Sequence, residues 1–324
     1  MTLTRLAALV AALALAAGCT SVAKNPGPSP LLVRAPNLDR PVTDAFPAPS
    51  LPEDPVKLAV FERINRDRAD EGLPPVAWDE AASQVADRFC AQQVKEGTRG
   101  HFLMDGMPPY ARTAFAGILA QQSENAVSWI SSGPRFGQTP EELALAGQES
   151  MLAEVPPADG HRRTILDPDA THVGVGWAQE NGQFRMAQEF LIRRLDRLTL
   201  QRVAEDPNTV LFRGRARAPY RVDFVTFAHE PSPHPLTGGE ASAREMYAYP
   251  EAGLAYVPVG LKSMQVLGAS TEDRLRVDQN GDFSFRFTPS APGLWTISFY
   301  SSRGREKARP GGLAVLWIVS AAAP

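Results

Sequence analysis

Residues 156–177 read PPADGHRRTILDPDATHVGVGW, and this stretch decides how the chain around it folds. The two leading prolines end a preceding helix, because proline cannot donate the hydrogen bond that a helix interior needs. His161 follows directly after a glycine, at that break. The stretch closes with Val173, Val175 and Trp177 alternating with small residues, a pattern that predicts a β-strand.

The segments on either side of this stretch predict a helix and a β-hairpin. Upstream, residues 139–142 read TPEE, a capping box with proline at the first helical position, so a helix should run from there to about Glu154. Downstream, Asn181-Gly182 has the composition of a two-residue hairpin turn. The return strand then carries Phe184, Met186 and Phe190. Helices beside an antiparallel hairpin favour an α+β fold over repeated βαβ units.

Two further helices are predicted earlier in the chain, over residues 56–71 and, after the capping residue Asp79, as far as Glu96. The apolar face of the second carries Cys90, together with Ala82, Ala86 and Val94. A cysteine in that position is expected to be a buried, unreactive thiol rather than a nucleophile. These elements define a first domain over residues 56–195.

Residues 200–324 change to a pattern of short strands and are predicted to form a second domain. Alternating apolar residues recur there, as in Phe283, Phe285 and Phe287 after the turn Asn280-Gly281. Short strands separated by Gly and Pro over about 100 residues predict an all-β, immunoglobulin-like sandwich. No helix is predicted in this domain.

The N-terminal residues predict export and attachment to a membrane. Residues 1–18 contain one positive charge, Arg5, and then an apolar run too short to cross a bilayer, which needs ~20 helical residues. They end in Ala-Ala-Gly before Cys19, which resembles a bacterial lipoprotein signal with Cys19 as the lipidated residue. The alternative is an ordinary cleaved signal with an incidental cysteine. Residues 19–55 are rich in proline, with nine between 20 and 55, and are expected to form an extended tether.

The overall charge excludes one class of partner. The net charge of the 324-residue chain is −3, and acidic and basic residues are interspersed. The sequence shows no basic patch or arginine-rich arm, so no nucleic-acid partner is expected.

Two of the five histidines stand where a cleft could form. His229 and His234 lie in a proline-rich segment and are interpreted as solvated loop residues, and His172 as a strand-edge residue. His101 and His161 both follow glycine at a chain break.

Two glutamates are candidate partners for these histidines. Glu124 does not fall on an obvious solvated helix face. Glu154, in the last turn of its predicted helix, would face the negative end of the helix dipole, which a nearby protonated histidine would offset. The alternative is that Glu154 is simply exposed, and spacing alone does not decide between the two.

Several motifs, in this order along the chain, resemble the CAP superfamily of cysteine-rich secretory, antigen 5 and pathogenesis-related-1 proteins, in its bacterial SCP-like branch. The motifs are NRDRADEGLPPVAWDEAASQVADRFC, the GH at His101, the SEN at Glu124 and GHRRTILDPDATHVGVGW. The resemblance covers about residues 56–191. It implies an α-β-α sandwich around a small antiparallel sheet, with a cleft that holds two histidines and two glutamates.

The resemblance assigns four positions of this sequence to that cleft. His101 and His161 match the two histidines, and Glu124 matches the glutamate of a Gly-Glu-Asn motif in which Ser123 replaces the glycine. Glu154 matches the second glutamate, although Met151 stands where many members have tryptophan. Glu149 is the alternative for that position.

Two imidazoles and two carboxylates are ligands that suit zinc or a similar divalent ion, and they could also perform acid–base chemistry without a metal. No nucleophile is evident beside either histidine.

We therefore expect a membrane-anchored, extracytoplasmic binding protein with His101, Glu124, Glu154 and His161 as metal ligands, and with a lipid or cell-wall ligand. One alternative is a hydrolase of peptide or cell-wall substrates that uses metal-activated water. The other is an adhesion or scaffold protein that acts through the sandwich.

Overall fold

The structure, a computed structural model, describes residues 31–35, 38–39, 41–42, 50–260 and 268–320. The described residues contain no helix that is long and apolar enough to span a membrane. Residues 1–18 and Cys19 lie outside the described part. The helices are α1 (Pro55–Asp70), α2 (Glu80–Glu96), α3 (Pro109–Phe115), α4 (Pro140–Leu152), α5 (Gly160–Ile165) and α6 (Gly238–Ala243).

Fourteen strands are described. The strands are β1 (Leu31–Arg34), β2 (Pro41–Val42), β3 (Ala77–Trp78), β4 (Gln121–Ile130), β5 (His172–Glu180), β6 (Gln183–Ile192), β7 (Leu195–Val203), β8 (Asp206–Ala216), β9 (Arg221–Glu230), β10 (Leu254–Pro258), β11 (Ser270–Val277), β12 (Asp282–Phe287), β13 (Gly293–Ser302) and β14 (Arg309–Ser320). Together with the helices they form an α+β fold, as the sequence predicted.

A four-stranded sheet, in the order β3-β5-β6-β4, lies at the centre of the first domain. Its hairpin, β5 and β6, turns at Asn181-Gly182, as predicted; both residues have positive φ. Local signals place the helix ends: Asp79 caps α2, Gly97 ends it with φ 69°, and the Thr139–Glu142 capping box starts α4. Because these signals involve only neighbouring residues, they could be located from the sequence.

The alternation in HVGVGW separates two helical layers. Val173 and Val175 face the core that α1 and α4 share with β6. Gly174 and Gly176 face α2, which lies so close that a Cβ on Gly174 would stand 2.1 Å from the backbone nitrogen of Ser83. Only glycine permits this approach. The sheet is therefore covered on both faces, which is the three-layered α-β-α arrangement that the resemblance implies.

The second unit is a ten-stranded sheet in the order β1-β14-β13-β9-β10-β11-β12-β8-β7-β2. All of its pairings are antiparallel except β10 with β11. The sheet folds over itself, because Phe227 of β9 stacks on Phe287 of β12 at 4.3 Å and Phe283 packs 5.3 Å from Phe299 of β13. One aromatic-rich core lies between the two halves, as in a β-sandwich.

Parts of the expected tether are strands of the ten-stranded sheet. Leu31–Arg34 pairs with β14, and Val33 is buried at 2% exposure. Pro41–Val42 pairs with β7, which itself begins at Leu195 rather than near residue 200. Few apolar residues suffice here, because an edge strand needs only one buried side chain when its backbone is paired to an existing sheet. The sandwich thus takes strands from both ends of the described chain.

Three short helices were not predicted. The second domain contains α6, which starts with its own capping box between Thr237 and Glu240, so the expectation of no helix there was wrong. In the first domain, α3 and α5 each have seven residues or fewer. A helix of that length lacks the repeated apolar spacing on which sequence prediction depends.

We expect Gly174→Ala to destabilise the first domain by about 1–3 kcal/mol or more, because the new methyl group would overlap the backbone of α2. The measurement is the midpoint of urea unfolding. Gly133→Ala is the matched control, since a Cβ there meets nothing within 4 Å. Equal midpoints for the two variants would contradict the close approach of α2 to β5.

Candidate functional site

The four predicted site residues come from four different elements. His101 lies after α2, in a loop that Gln93 holds by donating to the carbonyl of Gly100 at 2.8 Å. Glu124 is in β4 and His161 is in α5. Glu154 was expected to close a helix, but α4 ends at Leu152 and Glu154 lies just beyond its C-cap. The structure brings these residues together as two His–Glu pairs.

The first pair is almost completely buried. Nδ1 of His101 lies 2.9 Å from Oε1 of Glu124, and Arg112 of α3 donates to the other carboxylate oxygen at 2.7 Å. The side chains of His101 and Glu124 are 9% and 0% exposed. Burial alone would raise the pKa of Glu124, but the Arg112 guanidinium and His101 together hold that pKa below its usual value. Glu124 is therefore an ionised carboxylate that orients His101.

The second pair is more accessible. Nδ1 of His161 lies 2.5 Å from Oε1 of Glu154, and the backbone N–H of His161 donates to Oε2 at 2.9 Å. The side chains are 30% and 25% exposed. Glu154 thus binds the first turn of α5, whose N-cap Asp159 makes no side-chain cap. A carboxylate at a helix N-terminus is favourable. The unfavourable position of Glu154 at the C-terminal end of α4 is therefore offset by the N-terminus of α5 and by the His161 imidazole.

The two pairs form one site. The ring centres of His101 and His161 lie 6.3 Å apart. Asn125 of β4, next to Glu124, donates to the carbonyl of His161 at 3.2 Å and ties α5 to the sheet. Because both Nδ1 atoms are bound to carboxylates, the Nε2 atoms of the two imidazoles are the groups left for a ligand. The alternative position, Glu149, is an exposed residue of α4, and the carboxylate that contacts His161 is that of Glu154.

The donor set fits a loosely held divalent ion better than a closed structural site. Among the described residues, no group of three or more His, Cys, Asp or Glu side chains is arranged to hold a metal ion. Two imidazoles on one tetrahedral zinc have ring centres about 5 Å apart, so the observed 6.3 Å would have to shorten by roughly 1 Å. Glu124 and Glu154 orient the imidazoles instead of adding direct ligands, the arrangement in which a carboxylate raises the basicity of a metal-binding histidine.

Another ionisable residue, Glu189, adjoins the buried pair and was not predicted. It lies opposite Glu124 in the register of β4 and β6, and its carboxyl group contacts that of Glu124. Gln122 donates to Glu189 Oε2 at 2.6 Å, while Oε1 has no donor. Burial and then the charge of Glu124 raise the pKa of Glu189 well above its usual value. Two carboxyl groups in contact share a proton more easily than they ionise together, so Glu189 is the protonated member.

The second domain also reaches the site. Tyr247 accepts a hydrogen bond from the backbone N–H of Glu124 at 2.6 Å, and its ring lies 5.0 Å from that of His101 in an edge-on orientation. Burial raises the pKa of Tyr247 well above its usual value, so the phenol is neutral. No sequence signal connects residues 124 and 247.

The remaining candidates lie elsewhere. Cys90 is buried, its thiol faces the carbonyl of Gly176 at 3.5 Å, and burial raises its pKa, which fits the predicted unreactive thiol. His172 is in β5, and burial lowers its pKa to about 4. His234 is in an exposed loop, as expected. His229 is not: it lies in β9, its Nε2 contacts the carbonyl of Pro292 at 2.8 Å, and its ring packs on Trp295.

The first domain is similar in sequence to a known protein family. Residues 61–191 match the family model described as CAP, the cysteine-rich secretory protein family. Over these residues the first domain is therefore similar to the CAP family, whose motifs its sequence carries.

Among known proteins, the chain is similar to the protein YkwD of Bacillus subtilis strain 168, with 30% identity over 123 residues. That match covers 37% of this chain and 41% of the relative, so the chain spans less than half of the relative's length.

Two solved structures are also similar. One is an extracellular protein containing an SCP domain from Bacillus anthracis, with 20% identity, a TM-score of 0.34 and coverage of 44% of this chain and 45% of the other. The second is an outer surface protein of Borrelia burgdorferi, with 15% identity, a TM-score of 0.35 and coverage of 44% and 95%.

We expect the two neighbouring carboxyl groups to differ in what their removal costs in unfolding free energy. Glu124→Gln breaks a buried ion pair with Arg112 and should cost about 3–5 kcal/mol of unfolding free energy. Glu189→Gln replaces a protonated carboxyl by a neutral amide and should be tolerated. In the wild type, the unfolded state releases the Glu189 proton at lower pH than the folded state, so this residue costs stability as the pH rises above its unfolded pKa.

The measurement is urea unfolding at pH 5 and pH 7. The stability of Glu189→Gln relative to the wild type should be higher at pH 7 than at pH 5. A variant that loses more stability at pH 7 would show that Glu189 is ionised in the folded protein.

Proposed function

We propose that this chain is an extracytoplasmic, membrane-anchored lipoprotein. We further propose that its CAP domain binds a divalent metal ion between His101 and His161, and that this ion is zinc. The observation that carries the proposal is the pairing of each Nδ1 with a carboxylate, at 2.9 Å and 2.5 Å, in two side chains whose rings lie 6.3 Å apart. That pairing fixes both imidazoles with Nε2 as the remaining donor. A bound ion would provide a Lewis-acidic centre for an anionic or carbonyl group of a ligand.

Different residues hold the two histidines of this site in place. Glu124 and Arg112 hold His101 rigidly in a buried environment. Glu154 holds His161 at the accessible side, where a ligand can approach. Two protein ligands leave the other coordination positions to water or to the ligand, which corresponds to exchangeable binding rather than to a structural zinc site.

We further propose an amphipathic ligand of the cell envelope, a lipid or a cell-wall component. Three large hydrophobic side chains that are exposed to solvent lie within three residues of the site residues: Met104 (38% exposed), Val155 (70%) and Met246 (84%). They follow His101, follow Glu154 and precede Tyr247 in the sequence. Exposed apolar groups close in sequence to a polar centre suit a ligand with both a polar and an apolar part.

Zinc titration of the full chain by calorimetry tests the metal proposal. The wild type should bind about one equivalent, and His101→Ala/His161→Ala should bind none at that site. Glu154→Gln should weaken binding by about 10- to 100-fold, because it loosens the orientation of His161 without removing a ligand. His229→Ala/His234→Ala, with two histidines of the second domain removed, is the matched control and should bind as the wild type does. Equally low zinc uptake by the wild type and the His101/His161 variant would refute the proposal.

Export and anchoring are tested separately through Cys19. In cells of a bacterium that lipidates its lipoproteins, the wild-type chain should fractionate with membranes and incorporate labelled fatty acid. Cys19→Ser should lose the label and leave the membrane fraction, whereas Cys90→Ser should keep both, because Cys90 is buried in the first domain. Membrane association of Cys19→Ser equal to that of the wild type would show that no lipid on Cys19 anchors the chain.

A further inference from the structure

One segment of the second domain packs against the first domain. Residues 244–250, here called the strap, follow α6 and contact the edge of the four-stranded sheet. The Tyr247 hydroxyl accepts a hydrogen bond from the N–H of Glu124, as described above. Tyr249, two residues later, accepts from the N–H of Gln122 at 3.2 Å and donates to the carbonyl of Gln122 at 2.8 Å. Alternate residues of the strap therefore bind alternate residues of β4.

These contacts use the unpaired side of an edge strand. β4 pairs only with β6 in its sheet, so one row of its backbone groups points away from the sheet. Edge groups of this kind are normally left to water or covered. Here two tyrosine hydroxyls take the place of a neighbouring strand. Tyr249 is also stacked on Tyr110 of α3 at 4.7 Å, and Tyr110 in turn donates to Glu230 of β9 at 2.6 Å.

The strap and the residues that precede α6 both contact the loop that carries His101. In the strap, the Arg244 guanidinium lies over the ring of Phe102 at 5.3 Å. Before α6, the N–H of Leu236 donates to the carbonyl of Met104 at 2.8 Å. Gly106 has φ +72°, and a Cβ there would stand 2.3 Å from the carbonyl oxygen of His234. The backbones of the two domains thus meet directly beside the site.

The two histidines consequently differ in accessibility. The side chain of His101, against which the Tyr247 ring packs, is 9% exposed, whereas the side chain of His161 is 30% exposed. We propose that Tyr247 is a positioning residue of the site, supplied by the second domain, and that the strap covers His101 so that ligands reach the site only from the side of His161. The role of the sandwich is then to complete and restrict the site of the CAP domain.

The proposal takes the His101–His161 site from the proposed function, but its test requires no metal. Diethyl pyrocarbonate acylates accessible neutral imidazoles, and peptide mass spectrometry gives a separate rate for each histidine of the full chain. In the wild type, His101 should react much more slowly than His161. Tyr247→Ala should raise the rate of His101 to that of His161, while His161 itself changes little.

Two further variants separate the ring from the hydroxyl and from general loosening. Tyr247→Phe keeps the ring over His101 but loses the acceptor for Glu124, so amide hydrogen exchange at Glu124 should rise while His101 stays slow. Glu245→Ala is the matched control, because that side chain of the strap is also exposed; it should leave both measurements unchanged.

Three results would overturn the proposal. They are a wild-type His101 as reactive as His161, a Tyr247→Ala variant that keeps the slow rate of His101, and a Glu245→Ala variant that reproduces the effect of Tyr247→Ala. If Tyr247→Ala fails to fold, Tyr247→Phe alone decides: unchanged exchange at Glu124 would refute the contact. Failure to bind zinc would leave these acylation and exchange rates unaltered, so the two proposals fail independently.

Discussion

The close contact between α2 and β5 is the constraint on which the site depends. With Gly174 and Gly176 on one face of the strand, the backbone of the helix lies directly against the backbone of the sheet. The chain leaves α2 at Gly97 and reaches His101 four residues later. The position of the first imidazole relative to β4 and Glu124 is therefore set by how deeply α2 rests on the sheet. Any side chain at these two positions would move the helix and, with it, the loop that carries His101.

The site combines a rigid half and an adaptable half. Around Glu124, the Arg112 guanidinium and the protonated carboxyl group of Glu189 each contact the same buried carboxylate. Glu154 and His161, by contrast, are partly exposed and belong to a short helix that begins at their own hydrogen bond. The first half is buried, and the second is the half that is open to solvent.

Features that depend on residues close together in the sequence could be predicted, whereas features that depend on distant residues could not be predicted from spacing alone. The capping box at Thr139, the cap at Asp79 and the turn at Asn181-Gly182 involve neighbouring residues, and all three were found. His101, Glu124, Glu154 and His161 could be named because a family resemblance supplies long-range information that spacing does not.

Long-range contacts without such help were missed. β1 has only four residues, and its partner lies almost at the other end of the chain. Tyr247 meets Glu124 across a domain boundary. Glu189 did carry a signal, since its strand alternates and places a charged residue on the same face as Ala187 and Leu191, which are buried in the α2 layer. A charge on a buried strand face usually has a partner or a proton.

The pairing of β1 with β14 changes the geometry of attachment. Leu31 comes twelve residues after Cys19, whereas the first helix of the first domain begins at Pro55. Twelve residues span at most about 40 Å, whatever their conformation. A lipid on Cys19 would thus bring the sandwich to the bilayer first and would keep it within about one domain diameter of the headgroups. The first domain would then be attached to the membrane through the sandwich. The contacts between the two domains, rather than a flexible linker, would set the direction in which its cleft opens.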